Sequence, residues 1–306
     1  MMAALRDDGL RGELVVNAPL APLTSWRAGG CADRMYRPTD LDDLQLFLRQ
    51  LPVDEPLLWL GLGSNLLVRD GGVRGTVIAL HARLDGLERV GEAGVRAGAG
   101  VPGAKLARFA ARAGLQGGEF FAGIPGTVGG ALAMNAGAFG GETWNVVRRV
   151  RTIDRAGELR WREPSEFEIG YRHVRAAGDG DPGWFVAAEF DFVPGGDPEA
   201  LHQGIRDLLA NRAVSQPTGV ASCGSVFRNP PGDYAGRLIE AAGLKGLRCG
   251  GAQVSEKHGN FILNTGTASA ADIETLMITV QERVTQQSGI RLVPEVRIVG
   301  EAEVRA

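Results

Sequence analysis

Glycine in this chain is gathered into four stretches, residues 61–75, 98–103, 114–141 and 243–251. A residue without a side chain enters left-handed turns cheaply and lets another backbone or a ligand come close, but it weakens a helix or strand interior. The chain has 45 glycines in 306 residues, about twice the usual share, with 44% hydrophobic residues and no collagen-like period. It must therefore fold as a packed core carrying several fixed glycine loops. That arrangement points to a large, flat or polyphosphate ligand.

The remaining composition narrows the class. A chain of 306 residues is expected to form two domains at roughly 100–200 residues each. A net charge of −3 supplies no basic field for a phosphate backbone, so no nucleic-acid partner is expected. No apolar run approaches the roughly 20 residues of a membrane span. Residues 1–15 carry Arg6, Asp7, Asp8, Arg11 and Glu13 where a secretion signal would be apolar. A cytoplasmic protein without membrane insertion is the expectation. Cys31, Cys223 and Cys249 are scattered and lack CxxC spacing, and His81, His173 and His202 lack ligand spacing. Neither a disulfide framework nor a metal site is expected, and the cysteines read as small buried side chains.

Hydrophobic spacing predicts a helix over 41–51 capped by Thr39 or Asp40, and a buried strand, glycine loop and second apolar run over 57–68. Strands are expected at 75–81 and 95–101. A helix over 104–115 places Leu106, Phe109, Ala110 and Ala113 on one face, with Arg108 and Arg112 on another. Residues 146–154 and 157–163 alternate around Arg155-Ala156-Gly157 as a hairpin, and 184–194 reads as a strand. Pro194-Gly195-Gly196-Asp197-Pro198 stops any regular element, which sets a boundary between domains 1–194 and 195–306. Beyond it the pattern predicts helices over 198–213, 234–242 and 269–287, the last capped by Ser269 or Asp272. Strands are expected at 259–264 and 291–300.

Two glycine loops carry the chemical signal. Gly61-Leu62-Gly63-Ser64-Asn65-Leu66-Leu67 sits between apolar runs, where free backbone N–H groups with Ser64 and Asn65 can cradle a diphosphate. It has neither the GK[ST] ending of a P-loop nor the context of a dinucleotide fingerprint, and taken alone an ordinary turn is the alternative. Gly123-Ile124-Pro125-Gly126-Thr127-Val128-Gly129-Gly130-Ala131 holds too many glycines for a helix or strand interior, so a loop held for a functional reason is expected.

The first loop, followed after about 55 residues by the second and by Asn135-Ala136-Gly137-Ala138-Phe139-Gly140, resembles the UDP-N-acetylenolpyruvoylglucosamine reductase (UDP-N-acetylmuramate dehydrogenase) family. Gly170-Tyr171-Arg172, the run Cys223-Gly224-Ser225-Val226-Phe227-Arg228-Asn229-Pro230, and Val293-Pro294-Glu295-Val296-Arg297 strengthen the resemblance. It extends from Trp26-Arg27-Ala28-Gly29-Gly30 to Gly300. It implies an α+β fold: a two-subdomain FAD-binding domain of the vanillyl-alcohol-oxidase (PCMH) type, then a smaller α+β substrate-binding domain whose last strand returns to the flavin site. FAD is expected to be held by Gly61, Gly63, Ser64, Asn65, Leu66, Gly123, Ile124, Pro125, Gly126, Thr127, Gly129 and Gly130. Binding should be non-covalent, since neither loop contains His or Cys.

The implied reaction is NADPH-dependent reduction of UDP-N-acetylglucosamine enolpyruvate in peptidoglycan precursor synthesis, and through it a part in cell shape and division. Arg172 is the expected carboxylate fork, Glu295 its neighbour at the same carboxylate, and Ser225 the proton donor. Tyr171, Arg212, Asn229 and Arg297 are expected to meet the UDP-sugar substrate, and a monomer is the expected state. His258 is as readily structural as substrate-binding. Gln216-Pro217 stands where some members have a lysine. The only tyrosines are Tyr36, Tyr171 and Tyr234, so the chain resembles the branch without an added tyrosine loop. The rivals are an FAD-dependent oxidase of an alcohol or hydroxy acid on the same fold and a UDP-sugar-binding protein without flavin.

Overall fold

The structure, a computed structural model, describes residues 9–178 and 180–303. The charged start at Arg6, Asp7 and Asp8 lies outside them. The chain packs as two compact units that are not contiguous in sequence. Met35–Gly61 and Thr76–Ala210, with the described residues up to Val15, form the first. Val16–Arg34, Leu62–Gly75 and the chain from Asn211 onward form the second.

In the first unit, helix Leu41–Gln50 begins at Asp40, whose carboxylate accepts the Asp43 N–H at 3.0 Å. Its inner face buries Leu44, Phe47 and Leu48, and Phe47 stacks on Tyr36 with ring centroids 3.7 Å apart. Asp43 is buried beneath this cap. Burial pushes its pKa up, but the N–H groups of Arg11, Thr39 and Gly12 and the Tyr36 hydroxyl outweigh burial and hold it below the usual value.

A second core packs Leu106, Ala107, Ala110 and Ala111 of helix Gly103–Arg112 against Phe121, Val128, Leu132, Val150 and Phe190. Beside it runs an antiparallel sheet in the order Leu159–Arg162, Val147–Ile153, Trp184–Asp191, Gly94–Gly98 and Leu87–Val90. The expected hairpin supplies its first two strands. Arg149, Glu189, Arg96 and Glu88 form one cross-strand row. Hydrogen bonds from Arg149 and then Arg96 pull the buried Glu189 carboxylate down to about 2.

The stretch 123–131 corrects a sequence expectation. It is a loop only in part, because Val128–Met134 is helical. The entropy cost of two helical glycines is met by burial of Val128, Ala131 and Leu132, and by bonds from Val128 N–H to Val101 O (2.8 Å) and Gly129 N–H to Ala99 O (2.9 Å). Gly129 is required there, since a Cβ would fall 2.9 Å from the Ala99 Cβ. The run at Pro194 ends strand Trp184–Asp191 and is tied inside this unit, with Val193 and Gln116 bonded in both directions and Gly196 N–H on Gly114 O. The two compact units divide within helix Pro198–Ser215, after Ala210.

The second unit is organised by Trp26, which is fully buried among Leu67, Val226, Phe227, Ile273 and Val280. Its Nε1–H donates to Ile262 O and its own carbonyl accepts from Asn264 Nδ2, both at 2.8 Å. This anchor is why an early segment packs with the C-terminal one. Arg248–Cys249, Ala252–Val254 and Ile262–Asn264 form a small antiparallel sheet. Helix Ala270–Ser288 covers it, starting in a Ser269/Asp272 capping box. The Asp70 carboxylate accepts the Ala270 and Ala271 N–H groups at 2.9 Å each.

The expected strand over 291–300 is confined to Arg297–Val299, which runs parallel to Leu66–Val68. Pro294 lacks an N–H, and Val293 and Glu295 bond to the Ser225 segment instead of continuing the ladder. Cys223 is buried, while Cys31 and Cys249 are half-buried. Among the described residues no helix is long and apolar enough to cross a membrane, and no three His, Cys, Asp or Glu side chains group to hold a metal.

Candidate functional site

In the first unit the glycine loops are shaped by close approach. A Cβ on Gly61, just after strand Leu57–Leu60, would fall 2.4 Å from Thr127 Oγ1, and one on Gly123 would fall 2.3 Å from the Phe139 ring. Ile124 and Thr127 are buried, Pro125 is exposed, and Gly126 O accepts the Gly103 N–H at 2.9 Å. Gly130 differs from its neighbours. It is exposed in the first turn of the helix, and among the described residues the side-chain atom nearest its missing Cβ is Thr127 Oγ1 at 3.9 Å. Nothing among the described residues requires glycine there, although alanine would favour the helix by about 1 kcal/mol. A surface left bare at this cost fits a ligand that lies against the backbone.

Arg172 sits with Tyr171 in a two-residue turn joining the hairpin strands Phe167–Gly170 and His173–Ala176. Its φ is +55°, a left-handed conformation that costs a non-glycine residue about 1 kcal/mol and points to function when the surroundings enforce it. Its Nη1 donates to Asn135 O at 3.4 Å, and the guanidinium lies 5.0 Å from the centre of the half-exposed Tyr171 ring. Asn135, which motif reading quoted without a role, is buried with φ +40° and ends the helix Val128–Met134. Its Nδ2 donates to Glu142 Oε2 and Gly170 O at 3.0 and 3.3 Å, and its Oδ1 accepts the Trp144 N–H. It therefore fastens the turn that carries Arg172 at two points.

In the second unit, Gly63 has φ +58° and its missing Cβ would fall 2.3 Å from Leu23 O. Ser64 is half-buried, and Leu66 is buried at the start of its strand. Asn65 accepts the Arg297 N–H through its backbone carbonyl at 3.1 Å and donates from Nδ2 to Glu295 O at 3.2 Å. The expected cofactor residue Asn65 thus also holds the backbone of the expected catalytic residue Glu295.

Ser225 follows Gly224, whose φ is +80°. The next carbonyl, Val226 O, accepts the Glu295 N–H at 2.8 Å, so the structure brings the Ser225 and Glu295 segments together. Burial, and then the Glu295 charge, push the Cys223 thiol well up, which keeps it protonated and unreactive. Arg212 is half-buried in helix Pro198–Ser215 and donates from Nε to Gln216 Oε1 at 2.6 Å. Burial alone draws its pKa down. Asn229 Oδ1 accepts the Ala235 N–H at the head of helix Ala235–Ala241, while Arg297 is exposed. His258 Nδ1 accepts the Asn260 N–H at 3.2 Å, which puts the proton of the neutral ring on Nε2, and burial lowers its pKa. Arg172 belongs to the first unit, Ser225 and Glu295 to the second.

The bare helix start and tight loops of the first unit suit a ligand that lies against the backbone. Residues 32–162 match the FAD binding domain family, and residues 216–299 match the UDP-N-acetylenolpyruvoylglucosamine reductase C-terminal domain. The chain is therefore an α+β flavoprotein with an FAD-binding domain ahead of a smaller C-terminal domain. It is 61% identical to the UDP-N-acetylenolpyruvoylglucosamine reductase of Alkalilimnicola ehrlichii, over 95% of this chain and 96% of that one. It is 56% identical to that of Legionella pneumophila strain Corby, over 96% and 95%. The crystal structure of the Thermus caldophilus reductase is similar with a TM-score of 0.75 at 34% identity, covering 94% of this chain and 99% of that one. The chain belongs to the UDP-N-acetylenolpyruvoylglucosamine reductase family.

Proposed function

We propose that this protein is the NADPH-dependent flavoenzyme that reduces UDP-N-acetylglucosamine enolpyruvate to UDP-N-acetylmuramate in peptidoglycan precursor synthesis. The observation that carries the reading is 61% identity to a reductase of that name over nearly the whole of both chains. Bound FAD supplies the hydride, taken from NADPH. Gly61, Gly63, Ser64, Asn65 and Leu66, with Gly123, Ile124, Pro125, Gly126, Thr127, Gly129 and Gly130, are the residues proposed to hold it, without a covalent link.

The substrate's terminal methylene carbon gains the hydride, and an electron pair moves toward the adjacent carbon and its carboxylate. The planar guanidinium of Arg172 supplies donors to that carboxylate as charge develops, an interaction worth most when preorganised and screened from water. Glu295 is proposed to act at the same carboxylate. Ser225 gives its hydroxyl proton to the adjacent carbon, which completes the lactyl ether. Tyr171, Arg212, Asn229 and Arg297 are proposed contacts of the UDP-sugar. The family boundary is proposed at 194/195, between the two matched segments. A monomer working in the cytoplasm, where UDP-sugars and NADPH are available, completes the reading, and light scattering checks the monomer.

Half-reactions test the assignment. In Ser225→Ala, anaerobic bleaching of the flavin by NADPH should stay near the parent rate, because no enolpyruvyl proton enters that step. Return of the yellow colour on adding substrate should slow by about 100- to 10,000-fold. Normal reoxidation in this variant removes Ser225 as the donor.

A further inference from the structure

Val226 and Phe227 are buried, and their backbone groups are shared between two partners. On one side Val226 O accepts from Glu295 N–H at 2.8 Å and Arg228 N–H donates to Val293 O at 2.9 Å, a short antiparallel bridge. On the other side stands Asn260. Asn260 is 3% exposed, its Oδ1 accepts the Phe227 N–H at 2.9 Å and its Nδ2 donates to Phe227 O at 2.8 Å. Its backbone carbonyl accepts the Val226 N–H at 2.9 Å. A primary amide is the one neutral side-chain group of this size that meets a backbone donor and acceptor together, as a neighbouring strand would. Asn260 is itself fixed, because its N–H donates to His258 Nδ1 at 3.2 Å and Phe261 N–H donates to His258 O at 3.1 Å.

We infer that Asn260 is a positioning residue for proton transfer, its side-chain amide serving as a one-residue strand that sets Ser225 and Glu295 in register. The inference rests on the roles given to Ser225 and Glu295 above. It makes no contact with substrate necessary: Asn260 fixes Val226-Phe227, Val226 carries Ser225 on one side, and the Val226 carbonyl carries Glu295. A displacement near 1 Å at a reacting group can cost about 100-fold, so the amide should matter to the step that uses Ser225 and not to flavin reduction.

The test joins amide hydrogen exchange with anaerobic stopped flow on the flavin-loaded enzyme. In Asn260→Ala, exchange at Phe227 and Glu295 should quicken by about 10- to 100-fold while amides of helix Ala270–Ser288 keep their protection. Reoxidation by the enolpyruvyl substrate should slow by about 10- to 100-fold, with reduction by NADPH unchanged. Asn260→Ala combined with Ser225→Ala should slow reoxidation by less than the two single effects multiplied together, since part of what Asn260 does passes through Ser225 and the rest through Glu295. Asn260→Ser keeps one hydroxyl, which can bond one of the two Phe227 backbone groups but not both. It should fall between parent and alanine variant, and it carries the test if the alanine variant does not fold. Unchanged exchange at Glu295, equal slowing of both half-reactions, or additive slowing in the double variant would overturn the inference. Normal reoxidation in Ser225→Ala together with faster exchange in Asn260→Ala would remove the assigned donor while supporting Asn260 as the residue that positions Glu295.

Discussion

The stretch 123–130 of the first unit and the segment 223–229 of the second are built on opposite principles. The first is defined by atoms that are missing: Gly123 and Gly129 lie where a Cβ would fall 2.3 Å from the Phe139 ring and 2.9 Å from the Ala99 Cβ. The second is defined by a side chain that is present, since Asn260 bonds both backbone groups of Phe227 from 33 residues away. A stretch of the first kind is damaged by adding atoms, one of the second kind by removing them. The difference also decides what a sequence can reveal. A glycine run announces itself, whereas an asparagine in a strand-like stretch is indistinguishable from a surface residue until its partners are placed.

The severest way to strain the contrast is Gly129→Val. Its side chain would meet Ala99 in a buried contact and crowd the start of the helix Val128–Met134. A loss of about 3 kcal/mol is expected, read as a lowered unfolding midpoint and reduced flavin content. A variant of parental stability would show that the stretch yields, and that glycine at 129 serves something other than the Ala99 contact.

Asn135 asks whether the contrast lies between units or between ways of building. It sits in the glycine-rich unit but works as Asn260 does, bonding Gly170 O and Trp144 N–H from a buried amide. Asn135→Ala loses these bonds and must also hold a left-handed backbone, for about 2 kcal/mol in all. Asn135→Gly keeps the backbone and should recover about half. Thermal unfolding ranks the three proteins. Equal stability of the glycine variant and the parent would mean that backbone conformation is all Asn135 supplies, which makes it one more glycine-like position.

What the sequence revealed follows the same division. Helix Leu41–Gln50 was legible because Asp40 and an apolar stripe mark it locally, and helix Ala270–Ser288 because Ser269 and Asp272 form a capping box. Helix Val128–Met134 was not, because two glycines argue against it and the favourable terms come from Ala99 and Val101, far back in the chain. The strand over 291–300 was overextended for a similar reason: alternation was visible, but not the bonds that turn Val293 and Glu295 toward the Ser225 segment. Trp26 stood out as part of a motif, yet its anchoring bond to Ile262 O spans 236 residues. Of the candidate site, residue identities came from motif resemblance. The second roles of Asn65 and Asn229, which hold Glu295 O and the Ala235 N–H, emerged only from the structure.

The mildest substitution gives the finest discrimination, because it separates a glycine kept for the fold from one kept for a ligand. Gly129 and Gly130 are adjacent in the same helical turn, but only Gly129 faces a close neighbour. Among the described residues a Cβ at Gly130 would have no side-chain atom nearer than Thr127 Oγ1 at 3.9 Å. Gly130 also lacks a positive φ, so alanine fits its backbone without strain. On the protein alone, Gly130→Ala should therefore raise stability by about 0.5–1 kcal/mol through helix propensity and a less flexible unfolded chain. If the bare surface is kept for FAD, the added methyl should weaken flavin binding by about tenfold, or about 1.4 kcal/mol. Unfolding midpoints with and without added FAD measure both effects on one protein: the flavin-free midpoint should rise while the gain from FAD shrinks. A rise in the first with no change in the second would mean that Gly130 is not where the flavin meets the backbone, and the cradle would then have to rest on the tightly packed glycines alone.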